Sequence, residues 1–175
     1  MKKVLVLNGP NLNLLGFREP EIYGKQTYSD LCNLIEAHAA EIGAEVEIRQ
    51  TNHEGVLVDW IQAAGGFYDR LQATDGAGGF TPAPGGSFAG VDDPKARFDG
   101  VVLNPAALTH TSVALLDAVL ASGVPTVEVH ISDPDAREPF RRVSCVRQAC
   151  VKTIVGKGFA GYLEAIDYLK LTIDS

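Results

Sequence analysis

The stretch VVLNPAALTHTSVALLDAVLASGVPTVEVHIS, residues 101–132, sets the fold. Residues 101–103 are apolar and β-branched, and a polar loop follows. Residues 112–122 keep a helical period and stop at Gly123, and residues 126–131 return to a β-branched run. A helix between two strands carries the chain back over one face of a sheet, so the strands it joins run parallel. The same alternation extends outward. Residues 4–7 read as a strand, and residues 29–42 as a helix with Leu31, Leu34, Ile35 and His38 on one face and Gly43 at its end. Val46 and Ile48 mark another strand, and Leu57, Trp60, Ile61 and Ala64 another helix. Residues 153–155 form a fifth strand and residues 159–173 a last helix. The pattern predicts an α/β fold: a flavodoxin-like, doubly wound, five-stranded parallel sheet with helices on both faces. Ligands bind such sheets beyond the carboxyl ends of the strands, where strand order reverses.

Composition narrows the function. At 175 residues one domain is expected, spanning residues 1–175. A net charge of -7 and a pI near 5.0 lack the clustered basic surface that meets a phosphate backbone, so no nucleic-acid partner is expected. No apolar run reaches the length of a membrane span, and the N-terminus enters a strand at once, so no membrane partner and a cytoplasmic location are expected. Cys32, Cys145 and Cys150 are odd in number and show no metal-type spacing with the four histidines; they read as free thiols, with no metal site among them.

One segment breaks the alternation. Residues 65–98 hold eight of the eighteen glycines and the run GAGGFTPAPGGSFAG, where a few connecting residues would suffice. They read as a Gly/Pro-rich insertion forming a surface loop. A substrate lid or an oligomer contact using Phe67, Tyr68, Phe80 and Phe88 is the sharper alternative. Because the preceding helix runs back down the sheet, the insertion is expected at the end away from the site.

The residues that follow each strand carry the chemistry. Asn8 and Asn11 follow the first strand, Asn52 and His53 the second, Asn104, Thr109, His110, Thr111 and Ser112 the third, and His130, Ile131 and Ser132 close the fourth. Glu128 and His130 lie two apart on one strand face, an arrangement in which a carboxylate fixes a tautomer or raises a pKa. Arg137, Arg141 and Arg142 come just after, as either a solvated surface run or an anion clamp. Their position beside His130 favours the clamp for at least one. Thr109, Thr111 and Ser112 precede a helix and serve as its cap, as an anion site, or as both. His38 reads as a partly buried structural histidine. GKGFAG, residues 156–161, matches a dinucleotide fingerprint, but no strand and no acidic residue for a ribose follow it; glycines for a tight turn and close helix packing are the better reading.

Read together, LNGPNLNLLGFREPEIYG at 7–24, NHEG at 52–55, LNPAALTHTSVALLDA at 103–118, VEVHIS at 127–132, AREPFRR at 136–142 and GYLEAI at 161–166 resemble type II 3-dehydroquinate dehydratases of the shikimate and quinate pathways. The resemblance covers nearly the whole chain apart from residues 65–98. It implies the flavodoxin-like fold, a homododecamer built from trimers, no metal or organic cofactor, and removal of water from 3-dehydroquinate through an enolate to give 3-dehydroshikimate. By motif, Tyr23 would take the proton α to the ketone and Arg18 would stabilise charge and help activate it. His130, with Glu128 beside it, would protonate the departing hydroxyl, and Asn11 would help hold a water against the enolate. Asn104, His110, Ile131, Ser132 and Arg141 would bind substrate, and Asp117 would reach it from a neighbouring subunit. A phenol has a pKa of about 10, so Tyr23 needs a nearby cation, which Arg18 or Arg137 can supply. Residues 8–15 read as the floor of the site and residues 16–24 as a lid hinged by two glycines. The third loop departs from the Asn-Pro-Gly or Asn-Ala-Gly of the family: Ala106 stands where the glycine is, which would tighten the pocket if that position needs a positive φ.

Overall fold

The computed structural model describes residues 1–17, 25–66 and 97–173. Its strands are β1 (Lys3–Asn8), β2 (Glu45–Gln50), β3 (Gly100–Asn104), β4 (Thr126–His130) and β5 (Lys152–Val155), in the sheet order β2-β1-β3-β4-β5. Every pairing is parallel. The helices α1 (Tyr28–Ile42), α2 (Glu54–Ala64), α3 (Val113–Ser122) and α4 (Ala160–Ile173) are the crossovers and the C-terminal cover. This order is that of the flavodoxin-like doubly wound sheet, as the alternation predicts.

Strand alternation divides the interior into two cores. Val4, Val6, Val102, Val127, Val129 and Ile154 face α1 and α4, packing on Leu31, Ile35, Tyr162 and Ile166. Leu5, Leu7, Val101 and Leu103 face α2 and α3, packing on Leu57, Ile61, Leu115 and Val119. Apolar burial on both faces is why β1 and β3 read as nearly continuous hydrophobic runs.

Helix ends follow local chemistry. The Thr27 hydroxyl and the Asp30 carboxylate form a reciprocal capping box at the start of α1, and Gly43 ends it at a φ of 70°. The buried stripe of α1 is Leu31, Ile35 and Ala39, in steps of four. Leu34, expected on that face, is exposed, whereas Tyr28 and Ile42 form the partly buried flank of the stripe. His38 is half-buried and bonds Asp167 of α4 at 2.8 Å, a structural histidine as read. Between β5 and α4, Gly156 and Gly158 hold φ values of 71° and 57°. A Cβ on Gly161 would sit 3.3 Å from Ile154, so turn geometry and close packing account for GKGFAG.

Residues 67–96, most of the Gly/Pro-rich segment, lie outside the described residues, and so do Phe67, Tyr68, Phe80 and Phe88. Its two stems are described. The Phe98 amide donates to the Ala64 carbonyl at 3.2 Å, and the Asp99 amide to the Lys3 carbonyl at 2.8 Å. Both stems therefore sit at the amino ends of β1 and β3. No described helix is long and apolar enough to cross a membrane.

Candidate active site

A pocket of about 120 Å3 opens beyond the carboxyl ends of β1, β3 and β4, where strand order reverses. Eight of the residues singled out from sequence line it: Asn11, Asn104, His110, His130, Ile131, Ser132, Arg137 and Arg141. Arg142 and His53 do not.

The floor is built by strand-end asparagines. Asn8 and Asn104 are register partners on the α4 side of the sheet. The Tyr162 hydroxyl donates to Asn8 Oδ1 at 2.7 Å and accepts from Asn104 Nδ2 at 2.8 Å. Asn104 Oδ1 accepts from the Ala106 amide at 3.1 Å, so its amide has a single orientation. Tyr162 is fully buried. Burial pushes its phenol far up, and likewise that of Tyr28, so neither is a ready phenolate. Asn11 sits at a φ of 67°, with its amide donating to Asn52 Oδ1 at 2.9 Å; Gln50 donates to the same oxygen at 3.0 Å. The NHEG motif thus braces the loop that presents Asn11. Ala106 does adopt a positive φ, 51°, and its methyl lines the pocket.

His130 ends β4 with Nε2 bound to Glu128 Oε1 at 2.9 Å, which leaves Nδ1 as its second ring nitrogen. Glu128 lies behind it, wholly buried on the α3 side. Burial pushes its carboxyl up, but donors from His130, Thr109 and Ser144 and the charge of the imidazolium outweigh burial and hold it below the ordinary range. His110 is held by a bond from Nδ1 to the Val143 carbonyl at 2.7 Å. Arg137 and Arg141 flank the exposed Glu138 at 3.6 and 2.9 Å. Glu138 therefore orients two guanidinium groups at the pocket wall. Ser112 caps α3 by accepting from the Leu115 amide at 2.9 Å, whereas Thr109 turns to Glu128.

Asp117 lies on the exposed outer face of α3 and does not line the pocket of its own chain. Arg18 and Tyr23 lie outside the described residues. Among the described residues no group of His, Cys, Asp and Glu has the geometry to hold a metal ion. Burial raises the Cys32 thiol and pushes that of Cys150 up to about 12, which suits inert structural thiols. Sequence reasoning missed the Asn8–Tyr162–Asn104 bridge and the part Ser144 plays at Glu128. The first had a signal, since two strand-end asparagines in register need a shared polar partner; the second arises only from folding of the 134–149 segment.

A family model described as "Dehydroquinase class II" matches residues 2–83 and 89–170. The chain belongs to this family. The matched stretches leave out residues 84–88, inside the Gly/Pro-rich segment. The chain is 50% identical over 168 residues to the 3-dehydroquinate dehydratase of Acidovorax sp. (strain JS42), covering 96% of this chain and 97% of that one. It is 47% identical over 167 residues to the 3-dehydroquinate dehydratase of Corynebacterium glutamicum (strain R), covering 95% and 94%. Among solved structures, the type II dehydroquinase of Butyrivibrio crossotus DSM 2876 superposes with a TM-score of 0.77 at 40% identity, covering 97% of each chain.

Proposed function

We propose that this class II dehydroquinase is a lyase that converts 3-dehydroquinate to 3-dehydroshikimate and water, in the shikimate or quinate pathway. One observation carries the reading: at the switch point of the sheet, a histidine backed by a buried carboxylate shares a pocket with two arginines. Elimination of a β-hydroxyl from a ketone needs a base, an acid and stabilisation of an enolate. Tyr23, with Arg18 beside it in sequence, takes the proton α to the ketone, and the electron pair passes to the carbonyl oxygen as an enolate. His130 then donates a proton to the departing hydroxyl as the carbon–oxygen bond breaks. Re-formation of the ketone leaves a conjugated double bond and one water. Asn11 supports a water against the enolate, and Asn104, His110, Ile131 and Ser132 hold the ring hydroxyls. Arg137 and Arg141 take the substrate carboxylate, a match of planar fork to planar anion.

The protein acts as a homododecamer built from trimers, with Asp117 completing a neighbour's site. In support, Asp117 lies between Val113 and Leu120 on α3, which are 58% and 62% exposed and form an apolar face beside it. A cytoplasmic location and independence from metal and cofactor complete the reading. Both stems of the 65–98 segment lie at the end of the sheet opposite the pocket, which supports a site that survives the insertion.

Incubating purified protein with 3-dehydroquinate and following ultraviolet absorbance of the enone tests the activity; no turnover by folded protein would overturn it. Tyr23→Phe should nearly abolish turnover and leave folding unchanged, and retained activity would remove Tyr23 from the base role. Light scattering should give the mass of a dodecamer; an active monomer would exclude the part given to Asp117.

A further inference from the structure

Glu128 is the partner of His130, and two hydroxyls stand behind it. We infer that Thr109 and Ser144 are positioning residues of the reaction, acting through the Glu128 carboxylate to set the place and protonation of His130. This rests on His130 being the acid.

The geometry is specific. A single oxygen, Oε1, accepts from His130 Nε2, from the Ser144 hydroxyl at 2.9 Å and from the Thr109 hydroxyl. The two hydroxyl oxygens are 2.8 Å apart, and each has one proton to give. With both aimed at Oε1 they form a pair of donors opposite the imidazole. Ser144 is itself held by the Arg147 amide, which donates to its oxygen at 3.0 Å. Thr109 is pinned by its carbonyl, which accepts from the Cys145 amide at 2.7 Å. The loop after β3 and the segment before β5 therefore meet at one carboxylate oxygen.

The other oxygen, Oε2, is served less well. It has the Thr153 hydroxyl at 3.4 Å and Arg147 Nε at 3.8 Å, and that Nε is buried without a hydrogen-bond partner. Cys150 is the remaining titratable group against the carboxylate, and its thiol is held neutral by burial. The ion is anchored at Oε1, so the direction of the His130 Nε2 bond is fixed by the two hydroxyls. A carboxylate with no exposure needs such donors, because water cannot replace them. A purely structural account would require only that the hydroxyls be satisfied. Concentration of both on the oxygen that binds the histidine is the feature a positioning role requires.

Glu128 and His130 share a hydrogen bond at 2.9 Å, so a change at the carboxylate reaches the imidazole. Removing one donor from a buried carboxylate makes its charged form less favourable, so the Glu128 carboxyl rises from its lowered position. Each donor lost from a charged group moves its titration by about one pH unit or more. In Thr109→Val and in Ser144→Ala the acid limb of kcat/KM should move up by about one unit, with kcat reduced several-fold. Thr109→Ser, which keeps the hydroxyl, should restore the wild-type limb. The His130 ring signal, followed by NMR in the substrate-free protein, should show the same displacement. That reading needs no turnover, so it stands apart from the proposed activity: an active wild type with unmoved NMR midpoints in both variants would overturn the positioning role alone. An equal shift in Thr109→Ser would overturn it too, by showing that packing rather than the hydroxyl is responsible. If Thr109→Val fails to fold, Ser144→Ala decides.

Discussion

Ala106→Gly should hold or raise stability, although alanine-to-glycine changes ordinarily lower it. Ala106 begins the 3-10 turn Ala106–His110 with a φ of 51°, in the left-handed region. There an L side chain costs roughly 1–2 kcal/mol relative to glycine. Glycine returns roughly 0.4–1 kcal/mol of freedom to the unfolded chain. It also forfeits part of a half-buried methyl, which is worth at most about 0.8 kcal/mol. At mid-range these effects nearly offset, leaving a stabilisation of about 0.4 kcal/mol, whereas a right-handed helical alanine would lose about 1 kcal/mol. Ala106→Val is the complementary probe, because a β-branched residue tolerates this region poorly, and it should lose about 2 kcal/mol or more. Urea unfolding of the three proteins at one concentration measures all of this. A loss of about 1 kcal/mol in Ala106→Gly, together with a tolerated valine, would refute the backbone assignment.

Three other outcomes are expected. Tyr162→Phe leaves Asn8 Oδ1 and Asn104 Nδ2 buried and unpaired, so it should cost roughly 1–3 kcal/mol in urea unfolding and raise KM as Asn104 loses its fixed orientation. Gly9→Ala would place a Cβ 2.6 Å from the Pro105 carbonyl oxygen and strain the Gly9-to-Asn104 backbone bond; about 2 kcal/mol or more should be lost in a thermal melt, with turnover falling alongside. The third concerns pH. The Glu128 carboxyl lies below its ordinary 4.5 in the folded chain, so its contribution is present above that value and is lost as pH falls through the lower folded value. Stability should therefore drop more steeply below about pH 4.5 in the wild type than in Glu128→Gln, and equal slopes in unfolding experiments across that range would contradict the assignment.

Much of this was legible before folding. Val46, Ile48, Val101 and Val102 gave the strands by β-branching, and Gly43 and Gly123 ended helices where left-handed backbone is required. Strands joined by helical crossovers run parallel and share one carboxyl rim, so the rim could be assembled from the residues after each strand. Leu34 was misplaced because a helical period identifies an apolar stripe without telling which flank is covered; residues 28 and 42 pack beside 31, 35 and 39, and Leu34 is left exposed. Glu128 and His130 were legible from a two-residue strand period, but their supporting donors were not. Thr109 reads equally well as a helix cap, and only the packing of residues 144–149 against β4 decides that it serves the carboxylate while Ser112 does the capping. Asp117 shows the limit of a single chain: it lies exposed on α3, away from the pocket of its own chain.

The stems of the Gly/Pro-rich segment have a practical consequence. The Phe98-to-Ala64 bond closes the base of the segment, and Gly66 comes so near Arg97 that a Cβ there would lie 2.5 Å from the guanidinium Nε. The scaffold thus holds the two ends as neighbours whatever joins them, and the entropy of closing a loop grows only with the logarithm of its length. That makes the junction a natural splice point. A short turn, a reporter peptide or an affinity handle could be exchanged there at small thermodynamic penalty, on the side of the sheet remote from the chemistry.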